Sequence, residues 1–427
     1  MTEEPPNKRK PRTRANGEGS IFPYRNNYAA YVWVTTPTGE KTKKWVYGKT
    51  REEVHDKYVK LQNEAKKGPV STSIPLLMQY LAYWLKEVVI EPDFAPLTIA
   101  TYETFTRLYI IPYLGRKRLD KLTIRDVRGW INKLRKLCQC CAQSKDARRD
   151  KNKQKCCAVG KCCEQVASER TVRDALTVLR SALSYAVGDE IIGKNVAAGL
   201  RIPRLRKRRK VKPWSVAEAK QFLERALADA DGLYAAYVLI LVLGLRKGEV
   251  LGLKWDLIDL DAKELFVGEQ LQRVRRQLLR REVKTESSEA GLPLPEICLA
   301  ALKLRQERQE RDKEAHAQRQ EGNGRKPPEE WKETGLVFTT RNGSPIEPRN
   351  FNRRFDYRIA QAGVRRITVH GTRGTCATLL AALDVHPRVA MRILRHSDIK
   401  VTMEVYTEAT DEATQEALKR LGQTLGA

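Results

Sequence analysis

The chain has 427 residues, 41% of them apolar, and a net charge of +28. That length calls for two or three domains rather than one, and the charge, with an isoelectric point near 9.8, favours a polyanionic partner. Ribosomal and membrane-surface proteins share such a charge, so it does not by itself name DNA. Apolar runs of about 18 residues are missing, so no membrane span is expected. The opening MTEEPPNKRKPR lacks the apolar core of a signal peptide. Composition therefore fits a cytoplasmic, nucleic-acid-associated protein, whose nine cysteines should be reduced thiols or metal ligands rather than disulfides.

In chain order, residues 1–15 predict a disordered basic arm. Short β-prone runs follow at Ser20 to Phe22, Tyr28 to Thr35 and Lys43 to Tyr47, with turn residues at Asn26-Asn27 and Thr38-Gly39. Thr50, with Glu53 three residues on, reads as the capping box of a helix. These elements make a small module over residues 16–68. Its plain alternative is an ordinary mini-domain with no DNA role.

Residues 74–200 read as helices. One covers the stretch around Tyr80 and Trp84, one begins at Pro96, and one spans Leu122 to Leu137 with Thr123 as its cap. Arg170 to Val187 carries Val172, Leu176, Leu179 and Leu183 on one stripe. Trp84 and Tyr80 are expected in the core. Residues 201–213 form a basic linker: Arg201 to Lys212 holds eight basic residues and no acid. Residues 214–427 mix helices and hairpins. Val216 to Ala228 is a helix capped by Ser215, and Leu233 to Leu243 a buried helix. Strands are expected at Leu265 to Val274, 277–283 and Gly291 to Leu294, then a long charged helix from Leu299 to Arg319. The fold class is α+β and multidomain: a three-stranded sheet plus helix, a helical domain, and a mixed, mainly α domain with a small antiparallel sheet.

Seven of the nine cysteines fall between Cys138 and Cys163, an insertion that interrupts the helical domain. Cys138 and Cys141 form a C-x-x-C, and Cys156, Cys157, Cys162 and Cys163 could complete a four-thiolate site. A structural zinc held by Cys138, Cys141, Cys157 and Cys162 is one expectation. A surface insertion with free thiols is the other, and an iron–sulfur cluster is less favoured.

Six residues stand out in the second half. Arg246 lies in GLRKGEVLGLKW, beside an apolar helix. Lys284 lies in REVKTESSEAGLPLP, read as a hairpin tip. His370 and Arg373 share VHGTRGTCATLL, at a spacing that puts both on one helical face. His396 lies in ILRHSD, and Tyr406 follows ten residues later in VTMEVYT. Cutting a DNA strand without metal needs a nucleophile, cations on the non-bridging oxygens and a proton for the leaving oxygen. Guanidinium groups suit the second task.

In this order the set resembles the tyrosine site-specific recombinases, the integrase family of phages and integrative elements, and the Cys-rich insertion resembles those of integrases of actinobacterial mobile elements. The resemblance implies Tyr406 as nucleophile and Arg246 and Arg373 as the phosphate clamp. It also implies His370 as proton acceptor, His396 as a hydrogen-bond donor to the phosphate and Lys284 as general acid, with Lys247 and Lys254 as rivals. Glu249 would support the site by hydrogen bonding. Thr372 and Arg395 depart from the leucine and glycine that many members carry. The resemblance further implies an arm-type DNA-binding module at 16–68, a core-binding domain at 74–200 and a catalytic domain at 214–427. The expected partners are double-stranded DNA attachment sites, further copies of the chain in a tetramer on DNA, and excision or other accessory factors. No cofactor is implied for catalysis, and location would be bacterial and nucleoid-associated. A silent DNA-binding regulator and a type IB topoisomerase are the rival functions.

Overall fold

The structure, a computed structural model, describes residues 21–36, 39–68, 74–202, 212–282, 291–322, 330–396 and 398–406, with Lys419 and Gln423. It divides into two compact units, Met1–Leu205 and Arg206–Ala427.

The first unit begins with an antiparallel sheet of β1 (Phe22–Tyr24), β2 (Asn27–Thr35) and β3 (Lys41–Gly48), in that order. The first turn falls on Arg25 and Asn26, because Tyr24 already pairs with Asn27; Arg25 takes the left-handed conformation at φ 53°. Helix α1 (Arg51–Lys67) is capped by Thr50, whose hydroxyl accepts from the Glu53 N–H at 3.2 Å. Leu61 of α1 packs on Val32 and Val34. Strand alternation therefore leaves Trp33, Trp45 and Tyr47 on the opposite face, where they are exposed.

Helices α2 (Leu77–Tyr83), α3 (Pro96–Phe105), α4 (Ile111–Leu114), α5 (Ile124–Lys136), α6 (Gln139–Ala142) and α7 (Glu169–Gly188) follow. Pro96 sits in the first turn of α3, where its missing N–H costs nothing. Thr123 and Asp126 close a capping box on α5, and Ser168 caps α7. Trp84, Trp130 and the Val172, Leu176, Leu179, Leu183 stripe meet in one core, with Tyr80 beside them.

In the second unit, α8 (Val216–Ala228) starts at the Ser215 cap, α9 (Tyr234–Val242) is buried along Ala235 to Leu241, and α10 (Lys247–Gly252) follows. The strands are β4 (Ile258–Asp259), β5 (Glu264–Leu265), β6 (Glu269–Val274), β7 (Gln277–Glu282) and β8 (Leu292–Pro293). Helices α11 (Glu296–Gly322), α12 (Pro348–Ala362), α13 (Gly371–Ala382), α14 (Pro387–Leu394) and α15 (Ile399–Tyr406) complete it. The strand expected over Leu265 to Val274 is divided. β5 pairs with β4 and β8, whereas β6 pairs only with β7. The third strand thus joins a different sheet from the hairpin. The division lets β6 lie against α10 so closely that a Cβ on Gly252 would come within 2.9 Å of the Leu271 nitrogen. Among the described residues no helix is long and apolar enough to cross a membrane.

Candidate active site and thiol cluster

Arg246 stands at the start of α10, where the chain leaves α9 through Gly244-Leu245. Gly244 takes φ 61°, a conformation that favours glycine, and a Cβ there would also push aside the end of the Leu394 side chain at 2.6 Å. The Arg246 backbone N–H and Nη1 donate to the two oxygens of Glu249, each at 2.7 Å. The Glu249 side chain is 2% exposed and that of Arg246 is 42% exposed, so the carboxylate anchors the guanidinium from below.

Arg373, buried in the first turn of α13, reaches back to the same turn. Its Nη1 donates to the Gly244 carbonyl at 2.6 Å and its Nε to His396 Nε2 at 3.2 Å. Its Nη2 is buried and has no partner among the described residues. Burial, and then Arg246 nearby, pull its pKa down to about 10, which leaves it cationic at neutral pH. A buried guanidinium nitrogen without a partner is costly unless a ligand completes it.

His396 accepts from Arg373 through Nε2, so its proton lies on Nδ1, 2.9 Å from the Thr402 hydroxyl. Burial first, and then Arg373 and Arg246, lower its pKa to about 4. The expected donor to phosphate is, in this arrangement, an acceptor, because the Arg373 Nε–H already occupies the nitrogen in question. His370 immediately precedes α13 and is exposed. A cleft of about 270 Å³ brings His370 together with Arg246, Lys247, Asn352, Thr368 and Arg373.

Tyr406 ends α15, and its hydroxyl donates to the Val385 carbonyl at 2.7 Å, between α13 and α14. It is not among the residues lining the cleft, and burial raises its pKa. Lys284 lies outside the described residues. The tip of the β6–β7 hairpin is Arg275-Arg276, and β7 ends at Glu282, before Lys284 is reached. The segment read as the Lys284 hairpin tip, between β7 and β8, lies outside the described residues as well. Of its rivals, Lys254 pairs with Glu269 at 3.2 Å. Lys247 lines the cleft, donates to Asn352 at 3.2 Å, and has its pKa lowered by burial.

Two features have no plain sequence signal. Asn352 reaches the cleft from α12. Arg395 occupies a left-handed position, φ 49°, and turns a buried side chain onto Glu249 at 2.5 Å. An arginine in an otherwise basic chain gives no hint of being buried.

In the first unit, the sulfurs of Cys138, Cys141, Cys156 and Cys162 all lie within 4.8 Å of one another. Cys156 replaces Cys157 in the expected set. The backbone N–H of Cys156 is fastened to buried Asp146 at 2.7 Å and the residue is buried, whereas Cys157 is exposed and outside the group. The backbone N–H of Cys141 heads the groups that hold the Cys138 thiol below its ordinary pKa.

Comparison with known proteins decides the family. The phage integrase family matches residues 215–413, and the N-terminal SAM-like domain of phage integrases matches residues 76–135. A XerC-like tyrosine recombinase of Caldanaerobacter subterraneus is 26% identical, over 93% of this chain and 97% of that protein. An integrase of Saccharopolyspora erythraea is 24% identical over 96% of this chain and 97% of its own length. The chain belongs to the tyrosine recombinase family. It is a DNA recombinase of the integrase type. The fold agrees: the Tn1549 transposon integrase, solved with a circular-intermediate DNA, superposes with a TM-score of 0.59 at 20% identity, over 81% of this chain and 99% of that one. In this recombinase the two matched regions fall one in each compact unit.

Proposed function

We propose that this recombinase integrates or excises a mobile element by cutting and rejoining DNA strands through a 3′-phosphotyrosyl intermediate on Tyr406. The observation that carries the reading is the buried Arg373 Nη2, without a partner among the described residues, on a cleft also walled by Arg246. Two guanidinium groups there can grip the non-bridging oxygens of one phosphate. In the reaction the Tyr406 oxygen attacks phosphorus while its proton passes to His370. The P–O5′ bond breaks, and the leaving oxygen takes a proton from a lysine, Lys284 on the family pattern. The new phosphodiester keeps the bond energy for religation to a second strand. Arg373 and His396 act as a pair: when phosphate takes up Arg373, His396 Nε2 is freed, and a shift of the ring proton from Nδ1 to Nε2, with the Thr402 hydroxyl then donating to Nδ1, makes it a donor to the same oxygens. Tyr406 must leave the Val385 carbonyl before it can attack.

The partners are double-stranded attachment-site DNA and further copies of the chain, in a tetramer on that DNA, with accessory factors setting direction in a bacterial nucleoid. The solved integrase with transposon-end DNA supports the DNA partner. The exposed face of the N-terminal sheet supports an arm-binding role. Lys43 lies 4.5 Å from the Tyr31 ring and 5.0 Å from the Trp33 ring, and a contiguous aromatic and cationic surface suits a nucleic acid. A structural zinc on Cys138, Cys141, Cys156 and Cys162 would fasten the insertion between α5 and α7.

A nicked duplex spanning the element's end, which traps the covalent intermediate, tests the reading. Full-length protein should become joined to it and Tyr406→Phe should not. Relaxation of plasmids lacking the site would favour a topoisomerase, and binding without joining a silent regulator.

A further inference from the structure

The insertion holds more clustered thiols than one tetrahedral ion can use. A second group, Cys140, Cys156 and Cys163, also has its sulfurs within 4.8 Å of one another, and Cys156 belongs to both groups. The groups touch again where the Cys138 and Cys163 sulfurs stand 3.6 Å apart. The Cys141 and Cys156 sulfurs are 3.4 Å apart. Around a metal with bonds to sulfur of about 2.3 Å, a tetrahedral edge is about 3.8 Å. These separations are close to that edge and far from a bonded disulfide.

We infer that the insertion binds two zinc ions in one thiolate cluster, with Cys156 and Cys138 as shared ligands. The inference rests on the single-site reading above and extends it. One ion takes Cys138, Cys141, Cys156 and Cys162. The other takes the grouped Cys140, Cys156 and Cys163 and closes on Cys138, which is outside that group but stands 3.6 Å from Cys163 and shares the first group with Cys156. Six thiolates with two of them bridging give each ion four sulfurs. Cys157, exposed, takes no part.

Two further observations show that the segment is built around these sulfurs. Its buried cluster consists of Cys138, Cys140 and Cys156 with Cys141 against them, and among the described residues no aliphatic or aromatic side chain joins it. A lobe with so little apolar material cannot order itself by hydrophobic burial, and metal binding supplies the missing free energy. The loop carrying the shared sulfur is also fixed independently. Asp146, fully buried, accepts from the backbone N–H groups of Lys155, Cys156 and Ala158 at 3.0, 2.7 and 3.2 Å and from Arg149 at 2.9 Å. The sulfurs receive N–H groups of their own, Cys163 to Cys156 at 3.2 Å and Glu164 to Cys162 at 3.4 Å. Two divalent ions on six thiolates leave net negative charge. These N–H groups and the seven basic residues against two acidic ones in Cys138 to Cys163 offset it.

Metal analysis of full-length protein, purified without chelator from zinc-supplemented cells, tests this. The expected content is about two zinc ions per chain, unchanged in Cys157→Ser and falling to about one in Cys140→Ser with Cys163→Ser, which leaves the first ion's ligands intact. Cadmium substitution should give two distinct cadmium-113 resonances in the all-thiolate region. About one zinc in the wild type, unaltered by the double substitution, would overturn the second ion and leave the single site standing. No zinc, whether through iron binding or disulfides found by thiol counting under denaturation, would overturn both.

Discussion

Glu249 and Arg395 form an ion pair at 2.5 Å in which the side chains are only 2% and 1% exposed. The same carboxylate holds Arg246, so one buried anion serves two arginines. With Arg395 drawing on one oxygen, Glu249 steers Arg246 without neutralising it, and the outer guanidinium keeps its charge for phosphate. Removing Arg395 takes one of two cationic partners from a buried carboxylate, so Arg395→Ala should lower unfolding stability by about 2 kcal/mol. It should also slow strand cleavage more than it weakens DNA binding, since Arg246 is then held harder by Glu249. Denaturant unfolding and single-turnover cleavage measure the two effects. Unchanged stability would show the pair to be worth nothing.

Arg246→Ala or Arg373→Ala should cost about 3 kcal/mol of transition-state stabilisation, a rate loss on the order of a hundredfold. Gel-shift affinity should change far less. Equal losses in rate and affinity would mean that these arginines only position DNA.

Much of this site was readable before the fold. Thr50, Thr123 and Ser215 announced their helices because capping is local chemistry. Arg246, His370 and Arg373 could be picked from the many basic residues because of their order and their apolar or histidine neighbours. Long-range geometry was not readable. No local pattern says that the Tyr406 hydroxyl rests on the Val385 carbonyl, that His396 accepts from Arg373, or that Arg395 folds inward. Adjacent cysteines look alike in a sequence, and only the Asp146 loop makes Cys156 the buried one. The strand through Leu265 to Val274 divides because β6 must meet α10, a contact that propensity does not encode.

His396 should titrate near pH 4 in the folded protein, against an ordinary value of 6.5. The unfolded chain therefore binds a proton that the folded chain refuses between those values. This contribution to stability is complete above pH 6.5 and is lost as pH falls toward about 4. Proton NMR of the imidazole across that range checks the value. Titration near 6.5 would mean that the Arg373 hydrogen bond does not hold His396 neutral.

The leaving-oxygen proton separates Lys284 from Lys247. A substrate with sulfur in the 5′-bridging position needs no general acid, so it should rescue Lys284→Ala. Lys247→Ala should respond in the same way only if this cleft lysine, with its pKa lowered by burial, delivers the proton instead. Rescue of neither variant would place the general acid elsewhere.

The most direct measurement is the identity of the residue joined to DNA. Full-length protein trapped on the nicked element-end duplex is digested, and the peptide carrying the nucleotide is sequenced by mass spectrometry. The nucleotide should be found on Tyr406 through a 3′-phosphate, and Tyr406→Phe should yield no adduct while still binding the duplex. An adduct on another residue, or one that survives in Tyr406→Phe, would contradict the assignment of the nucleophile.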